Sequence, residues 1–183
     1  MDKGILISPA VPEMLPDIHL LEEACFSSPW TRKMLEAELT GNQFAHFLVA
    51  RDGTRKGEDS AVSASKIVGY LCFWIVFEEV RLMNLAVLES RRRRGIAAAL
   101  VTEALRTGMT HAATRAVLEV RASNSAAQTL YRRMGFVQVS TRAKYYANPI
   151  EDAVLMEMEP LVARTGPVRG RMNVVGDGSV PSH

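Results

Sequence analysis

Two cysteines and four histidines are all that these 183 residues offer toward disulfide or metal chemistry. Cys25 and Cys72 lie far apart, each among apolar neighbours, so they read as reduced core thiols rather than a bridge or a ligand pair. His19, His46, His111 and His183 show no ligand spacing, and no metal is expected. No apolar run approaches the ~18 residues of a membrane span, and the apolar start at Ile5–Ile7 is too short for a signal peptide. A cytoplasmic protein without a membrane partner is therefore expected. The formal net charge is only +2, too mild to argue for nucleic acid from bulk charge. No strand–turn–helix Ser or Cys nucleophile pattern occurs, which disfavours an acyl-enzyme. What remains is an ordinary globular composition, 48% apolar and 23% charged, long enough for one domain with a sizeable core.

Periodicity orders the chain. Ile5–Ser8 reads as a strand stopped by Pro9 and Pro12. A helix follows over Met14–Phe26, with Leu15, Ile18, Leu21, Glu22 and Cys25 at helical spacing. Ser27-Ser28-Pro29-Trp30 breaks it, and Thr31 caps a second helix that ends near Gly41-Asn42. Strands are predicted at Phe44–Ala50, Ile67–Phe77 and Val80–Val87, with a polar loop over 51–66. A helix from Ile96 to about Met109 separates the last of these from a strand at Ala116–Arg121, which makes that connection a parallel crossover. Asn124 and Gly135 bracket another helix. A strand at Phe136–Thr141, a turn carrying Tyr145, Tyr146, Asn148 and Pro149, and a strand at Ala153–Met158 complete the domain, 1–161. Residues 162–183, rich in Gly, Pro, Ser and Val, are expected to form a disordered tail. The fold class is α/β (α+β): a mixed, mostly antiparallel sheet of six to seven strands flanked by about four helices.

One stretch stands out: Arg91-Arg92-Arg93-Arg94-Gly95-Ile96-Ala97-Ala98-Ala99-Leu100, a basic glycine turn between a strand and a helix. The open N–H groups of a first helical turn and the helix dipole favour an anion there, and forked guanidinium donors suit phosphate oxygens. A solvated basic loop is the plain alternative.

The same turn contains R-x-x-G-x-A at Arg92, Gly95 and Ala97, and with the order of elements it resembles the GNAT acetyltransferase superfamily. Leu118-Glu119-Val120-Arg121-Ala122-Ser123-Asn124-Ser125-Ala126-Ala127, then Leu130-Tyr131 and Met134-Gly135-Phe136, is more specific. It resembles the ribosomal-protein alanine N-acetyltransferases of the RimI type. Ser28-Pro29-Trp30-Thr31, Asn84-Leu85-Ala86-Val87 and Tyr145-Tyr146 match that family too, over about Ile5–Leu161. The resemblance implies acetyl-CoA as co-substrate and the N-terminal alanine of a small-subunit ribosomal protein as acceptor. It implies a pyrophosphate held by Arg92, Arg93, Arg94, Gly95, Ile96, Ala97 and Ala98. It also implies pantetheine and acetyl carbonyl on the backbone of Leu85, Ala86 and Val87, Asn124 on the pantetheine arm, Glu119 as general base and Tyr131 as general acid. Ala97 stands where Gly is frequent, and Leu88-Glu89 where Asp-Pro is frequent.

The chemistry of those residue types agrees. Acetyl transfer from a thioester to an amine needs a neutral amine and a protonated leaving thiolate. An α-amine has pKa ~7.7–8.0, so a weak base such as a part-buried Glu119 suffices. A phenol at ~10 is a fair match to a thiol at ~8.5, which suits Tyr131. Without the motif, Glu119 reads as a strand-end carboxylate paired with Arg121 or Arg115, and Tyr131 as a core aromatic. Trp30, Tyr145 and Tyr146 are the candidate substrate-binding residues, with packing roles as the alternative; the two tyrosines are expected on a loop overhanging the acceptor groove. The chain is expected to act as a monomer, with a protein N-terminus as partner and no nucleic acid. A GNAT enzyme acting on a lysine or small-molecule amine, a non-catalytic acetyl-CoA-binding module, and a nucleic-acid contact through Arg91–Arg94 are the competing possibilities.

Overall fold

A computed structural model describes residues 4–52, 66–162 and the backbone of 172–174. Alternating side chains build its sheet. Strands β1 (Ile5–Pro9), β2 (Ala45–Asp52), β3 (Ile67–Val76) and β4 (Glu79–Val87) follow one another antiparallel. Helix α3 (Ile96–Thr110) then crosses over to β5 (Arg115–Arg121), parallel to β4, and β6 (Val137–Ala147) and β7 (Ile150–Met158) complete the far side. The strand order is β6-β7-β5-β4-β3-β2-β1, extended by a three-residue β8 (Met172–Val174) parallel to β1. Helices α1 (Leu15–Cys25), α2 (Arg32–Glu36) and α4 (Ser125–Met134) join α3. This is the mixed, mostly antiparallel sheet flanked by helices that the sequence predicts.

Period-two alternation divides the core between the two faces. Phe47, Val49, Tyr70, Cys72 and Ala86 pack with Leu15, Ile18, Leu21 and Leu35 of α1 and α2. Leu48, Ala50, Leu71, Phe73 and Leu82 pack with Leu100, Val101, Ala104 and Leu105 of α3 and with Tyr131 and Met134 of α4. In β5, Ala116, Leu118 and Val120 join this second cluster, so Glu119, between them, projects from the α1–α2 face.

Helix ends follow local chemistry. The Thr31 hydroxyl accepts from the Met34 N–H at 3.2 Å and starts α2. Beyond Glu36 the backbone widens into a π-type turn over Ala37–Gly41. Asn124 caps α4, its Oδ1 accepting from the Ala127 N–H at 3.1 Å, and Gly135 ends that helix at φ 107°.

Three expectations need correction. Tyr145 and Tyr146 do not ride on a loop: β6 continues through both to Ala147, and the turn is only Asn148-Pro149. The strand is longer because β7 begins at Ile150, which supplies hydrogen-bonding partners that a start at Ala153 lacks. The tail expected to be structureless from 162 contributes β8, because β1 offers a free edge to its backbone; the rest of 163–183 lies outside the described residues. So does most of the loop expected at 51–66, although Arg51 and Asp52 extend β2 instead.

Candidate active site

The sheet splits at its centre. β4 and β5 pair only from Glu79–Leu82 to Arg115–Leu118. Beyond that, β4 runs on to Val87 against β3, while Glu119–Arg121 of β5 pair with β7. The cause is visible in the β3–β4 register: Cys72 faces Asn84 and Phe73 faces Leu82, so Met83 is an extra residue that bends β4 away. Leu85, Ala86 and Val87 therefore carry backbone along an opening with no partner strand on the β5 side.

The Arg92–Ala98 turn closes one end of that opening. A 3-10 turn over Glu89–Arg91 leads into it; Arg93 at φ 62° and Gly95 at φ 81° then swing the chain into α3. Gly95 supplies a left-handed conformation that a side chain disfavours. The Ala99 N–H is the first to bond back within α3, to the Gly95 carbonyl at 2.9 Å. The N–H groups of Ile96, Ala97 and Ala98 consequently face outward at the positive end of the helix, where phosphate oxygens bind. The arginines divide their work. Arg91 pairs with Asp52 at 2.6 Å and is spent on the fold. The Arg92 Nε–H donates to the Val87 carbonyl at 3.1 Å, so Arg92 braces the turn against β4. Arg93 and Arg94 have exposed side chains beside the helix start.

At the other end of the split lie the side chains expected to serve as acid and base. Glu119 pairs with Arg142 at 2.7 Å, rather than with Arg121 or Arg115, and its second oxygen accepts from the Tyr145 hydroxyl at 3.4 Å. Two other acids take up those arginines: Arg121 binds Glu151 at 3.2 Å, and Arg115 binds Glu79 at 2.9 Å. Tyr145 reaches Glu119 because β6 bulges between Arg142 and Tyr146. Lys144 there adopts φ 53°, and its N–H donates to Asp152 Oδ1 at 2.8 Å. Tyr146 stands perpendicular to Tyr145 with centroids 5.1 Å apart, under the Arg121 guanidinium at 4.1 Å. Burial pushes the Tyr146 phenol up to about 12, against the lowering pull of Arg121.

Tyr131 is buried in α4, edge-on to Phe136 at 5.7 Å. Burial first, and Tyr146 second, push its phenol above the usual value. The expected match to a thiol is thus loosened: Tyr131 is a weaker acid than a free phenol, but it stays a protonated donor across the neutral range. Asn124 sits at the start of α4 with its Oδ1 engaged as cap. Trp30 is half-buried against the α1–α2 cluster. No group of three or more metal-ligating side chains occurs among the described residues, and no described helix is long and apolar enough to cross a membrane.

A split parallel pair beside an anion-binding helix start is the arrangement expected for a bound acyl thioester, and the family comparison decides it. Residues 15–136 match the model of the acetyltransferase (GNAT) family. The chain belongs to the GNAT acetyltransferase family. This acetyltransferase is 32% identical over 145 residues to a Bacillus subtilis (strain 168) protein provisionally named a ribosomal protein bS18-alanine N-acetyltransferase, covering 79% of this chain and 88% of that one. It is similar to the crystal structure of the Escherichia coli ribosomal-protein-S18-alanine N-acetyltransferase, with 25% identity, a TM-score of 0.72, and 89% of this chain and 97% of that one covered. It also shares its fold with Arabidopsis thaliana NAA60 in complex with acetyl-CoA, at 21% identity and TM-score 0.74, covering 85% of this chain and 98% of that one.

Several site residues escape a motif-based reading. Arg142, the ion-pair partner of Glu119, lies outside every motif. Glu22 and Tyr70, also outside the motifs, form a polar cluster behind β4 with Asn84 of the Asn84–Val87 motif. A signal for Glu22 exists: it is the one charged residue on the otherwise apolar stripe of α1.

Proposed function

We propose that this acetyltransferase moves an acetyl group from acetyl-CoA to the α-amine of a protein N-terminus, namely the N-terminal alanine of ribosomal protein bS18, by direct transfer in a ternary complex in the cytoplasm. The relatives' activity supports the acceptor. The observation that carries the chemistry is Glu119, held by Arg142 and Tyr145 beside the opening in the sheet.

Acetyl-CoA supplies the activated acyl group, with its diphosphate on the N–H groups of Ile96–Ala98 and the charge of Arg93 and Arg94, and its pantetheine along Leu85–Val87 and near Asn124. The acceptor enters from the α1–α2 face, past Trp30, Tyr145 and Tyr146. Glu119 takes the proton that the α-ammonium must lose. The freed amine bonds the acetyl carbon as the carbon–sulfur bond breaks, Tyr131 donates to the departing thiolate, the second proton shed by the nitrogen restores the Tyr131 phenol, and Glu119 releases the first to solvent. Strand N–H groups of β4 stabilise the charge that develops on the carbonyl oxygen in this mechanism.

The test is acetyl transfer to short peptides beginning with Ala, Met or Ser, and to a blocked peptide carrying a Lys, with mass spectrometry locating the label. Transfer to the α-amine of the Ala-first peptide is expected. Label on a lysine ε-amine, or on small amines alone, assigns another acceptor class; acetyl-CoA binding without turnover assigns a binding module.

A further inference from the structure

Glu22 is 1% exposed, inside the apolar cluster that seats α1 and α2 on the sheet. Neutral donors converge on its carboxylate. The Trp30 N–H donates to Oε1 at 2.9 Å, the Tyr70 hydroxyl to Oε2 at 2.5 Å, and the Asn84 amide to both oxygens at 3.0 and 3.2 Å. Asn84 also donates to the Tyr70 oxygen at 2.9 Å, which closes the network. Burying a carboxylate is costly, and an apolar side chain would fill the same space without that cost. What an apolar side chain cannot do is hold these donors together.

Their places in the fold show what is joined. Trp30 belongs to the Ser27–Trp30 break between α1 and α2. Asn84 follows the bulged Met83 and precedes Leu85, on the length of β4 that has lost its β5 partner. Tyr70 lies opposite Ala86 on β3. The carboxylate therefore ties the corner on the acceptor side to the strand on the donor side, where no sheet ladder does so.

We infer that Glu22 is a positioning residue: it sets the distance between the Pro29-Trp30 wall of the acceptor groove and the β4 segment that carries the acetyl donor. The inference rests on the proposed N-terminal acetylation in taking that corner as the acceptor wall. Glu22→Gln keeps the size but turns an NH2 group toward donors, and Tyr70→Phe removes one donor while leaving the bond to Trp30. Losing a hydrogen bond to a buried carboxylate corresponds to about a tenfold effect or more.

The experiment measures KM for the Ala-first peptide, KM for acetyl-CoA and kcat in both variants. Hydrogen exchange of residues 27–31 and of α3 is followed by mass spectrometry in parallel. For Glu22→Gln the peptide KM is expected to rise about tenfold with acetyl-CoA KM unchanged, and exchange over 27–31 to quicken about tenfold with α3 unaffected. Tyr70→Phe should fall between this variant and the wild type. Wild-type peptide KM and wild-type exchange at 27–31 in Glu22→Gln overturn the inference. So does faster exchange throughout the chain with both KM values rising together, since that marks a residue that only holds the fold. If the wild-type protein acetylates no N-terminal peptide, the proposed function fails, and the exchange data alone decide whether Glu22 anchors the corner.

Discussion

Replacing Glu119 with Gln keeps the shape of the side chain and its ability to accept from Arg142, but removes its capacity to take a proton. Magnitudes separate the possible consequences. The pair with Arg142 is partly in solvent, Arg142 being 51% exposed, so its loss is worth about 0.2–1 kcal/mol of stability. Loss of a general base costs about 100–10,000-fold in rate, equivalent to about 2.7–5.4 kcal/mol of barrier. A large kinetic deficit in a protein that melts normally is therefore chemical. Its pH dependence identifies the proton. An α-amine of pKa ~8 is about one-tenth neutral at pH 7, whereas a lysine ε-amine of pKa ~10.4 is neutral in fewer than about one molecule in a thousand. With an α-amine acceptor, the variant should be about 100-fold slow at pH 7, and the deficit should narrow by about tenfold by pH 9 as the acceptor deprotonates unaided. The assay is steady-state kcat on the Ala-first peptide from pH 6.5 to 9. A wild-type rate at pH 7 refutes a base role. A deficit that stays constant to pH 9 refutes it too, and leaves Glu119 as a holder of Arg142 and Tyr145.

Other expectations test neighbouring parts of the structure. Tyr131→Phe keeps the buried ring on Phe136, so acetyl-CoA KM should hold while kcat falls about 10–100-fold; a normal kcat would show that the leaving thiolate needs no side-chain proton. A Cβ at Gly108 meets Val80 Cγ2 at 2.1 Å, so Gly108→Ala gains ~1 kcal/mol of helix propensity and loses about 3 by overpacking. The net loss of about 2 kcal/mol should lower Tm by about 4–8 °C, and an unchanged Tm in calorimetry would contradict that contact. His46, stacked on Phe73 and beside His111, is held below its usual pKa of 6.5 by burial first and by His111 second. Its neutral form is thus favoured by folding: the stability it adds is present above pH 6.5 and lost as pH falls below that. Denaturant titrations should show wild-type stability dropping between pH 6.5 and 5 more steeply than in His46→Gln; parallel slopes would assign the loss to other groups.

Most of the fold was legible because its signals are local. β-prone apolar runs such as Ile67–Val76, the Thr31 and Asn124 caps and the Gly135 stop each act within a few residues, and each appears where the pattern places it. The crossover into β5 follows from a helix lying between two strands. What stayed hidden depends on partners distant in sequence. The length of β6 is set by where β7 starts, which is why the local pattern puts Tyr145 and Tyr146 on a loop and the structure puts them on a strand. Glu119 faces Arg142 rather than Arg115 or Arg121 because Glu79 and Glu151 already occupy those two. The bulge at Met83 has no signature in Leu82-Met83-Asn84, and with it goes the reason β4 and β5 part where they do. Glu22 was visible as a charge on an apolar stripe, but its partners Tyr70 and Asn84 lie 48 and 62 residues away.

Glu119 and Tyr131, the proposed base and acid, lie on opposite faces of one sheet, which bears on the proposed mechanism. Glu119 projects from the α1–α2 face, whereas Tyr131 belongs to the core beneath α3 and α4. In an intact sheet the two would be separated by a continuous hydrogen-bonded layer. Here the layer is interrupted, because β4 leaves β5 after Leu82. In the proposed mechanism, a thioester laid in that gap presents its carbonyl carbon to one face and its sulfur to the other. Proton removal from the incoming amine and proton delivery to the departing thiolate can then occur on separate sides without the two side chains neutralising each other. On the donor side Arg91 is paired to Asp52 and Arg92 braces Val87, and the diphosphate site proposed above is the N–H groups of Ile96–Ala98 with the charge of Arg93 and Arg94 beside them. In the proposed function, selectivity among acceptors comes from the Trp30 corner and the bulge that carries Tyr145, and the network at Glu22 joins that corner to β4.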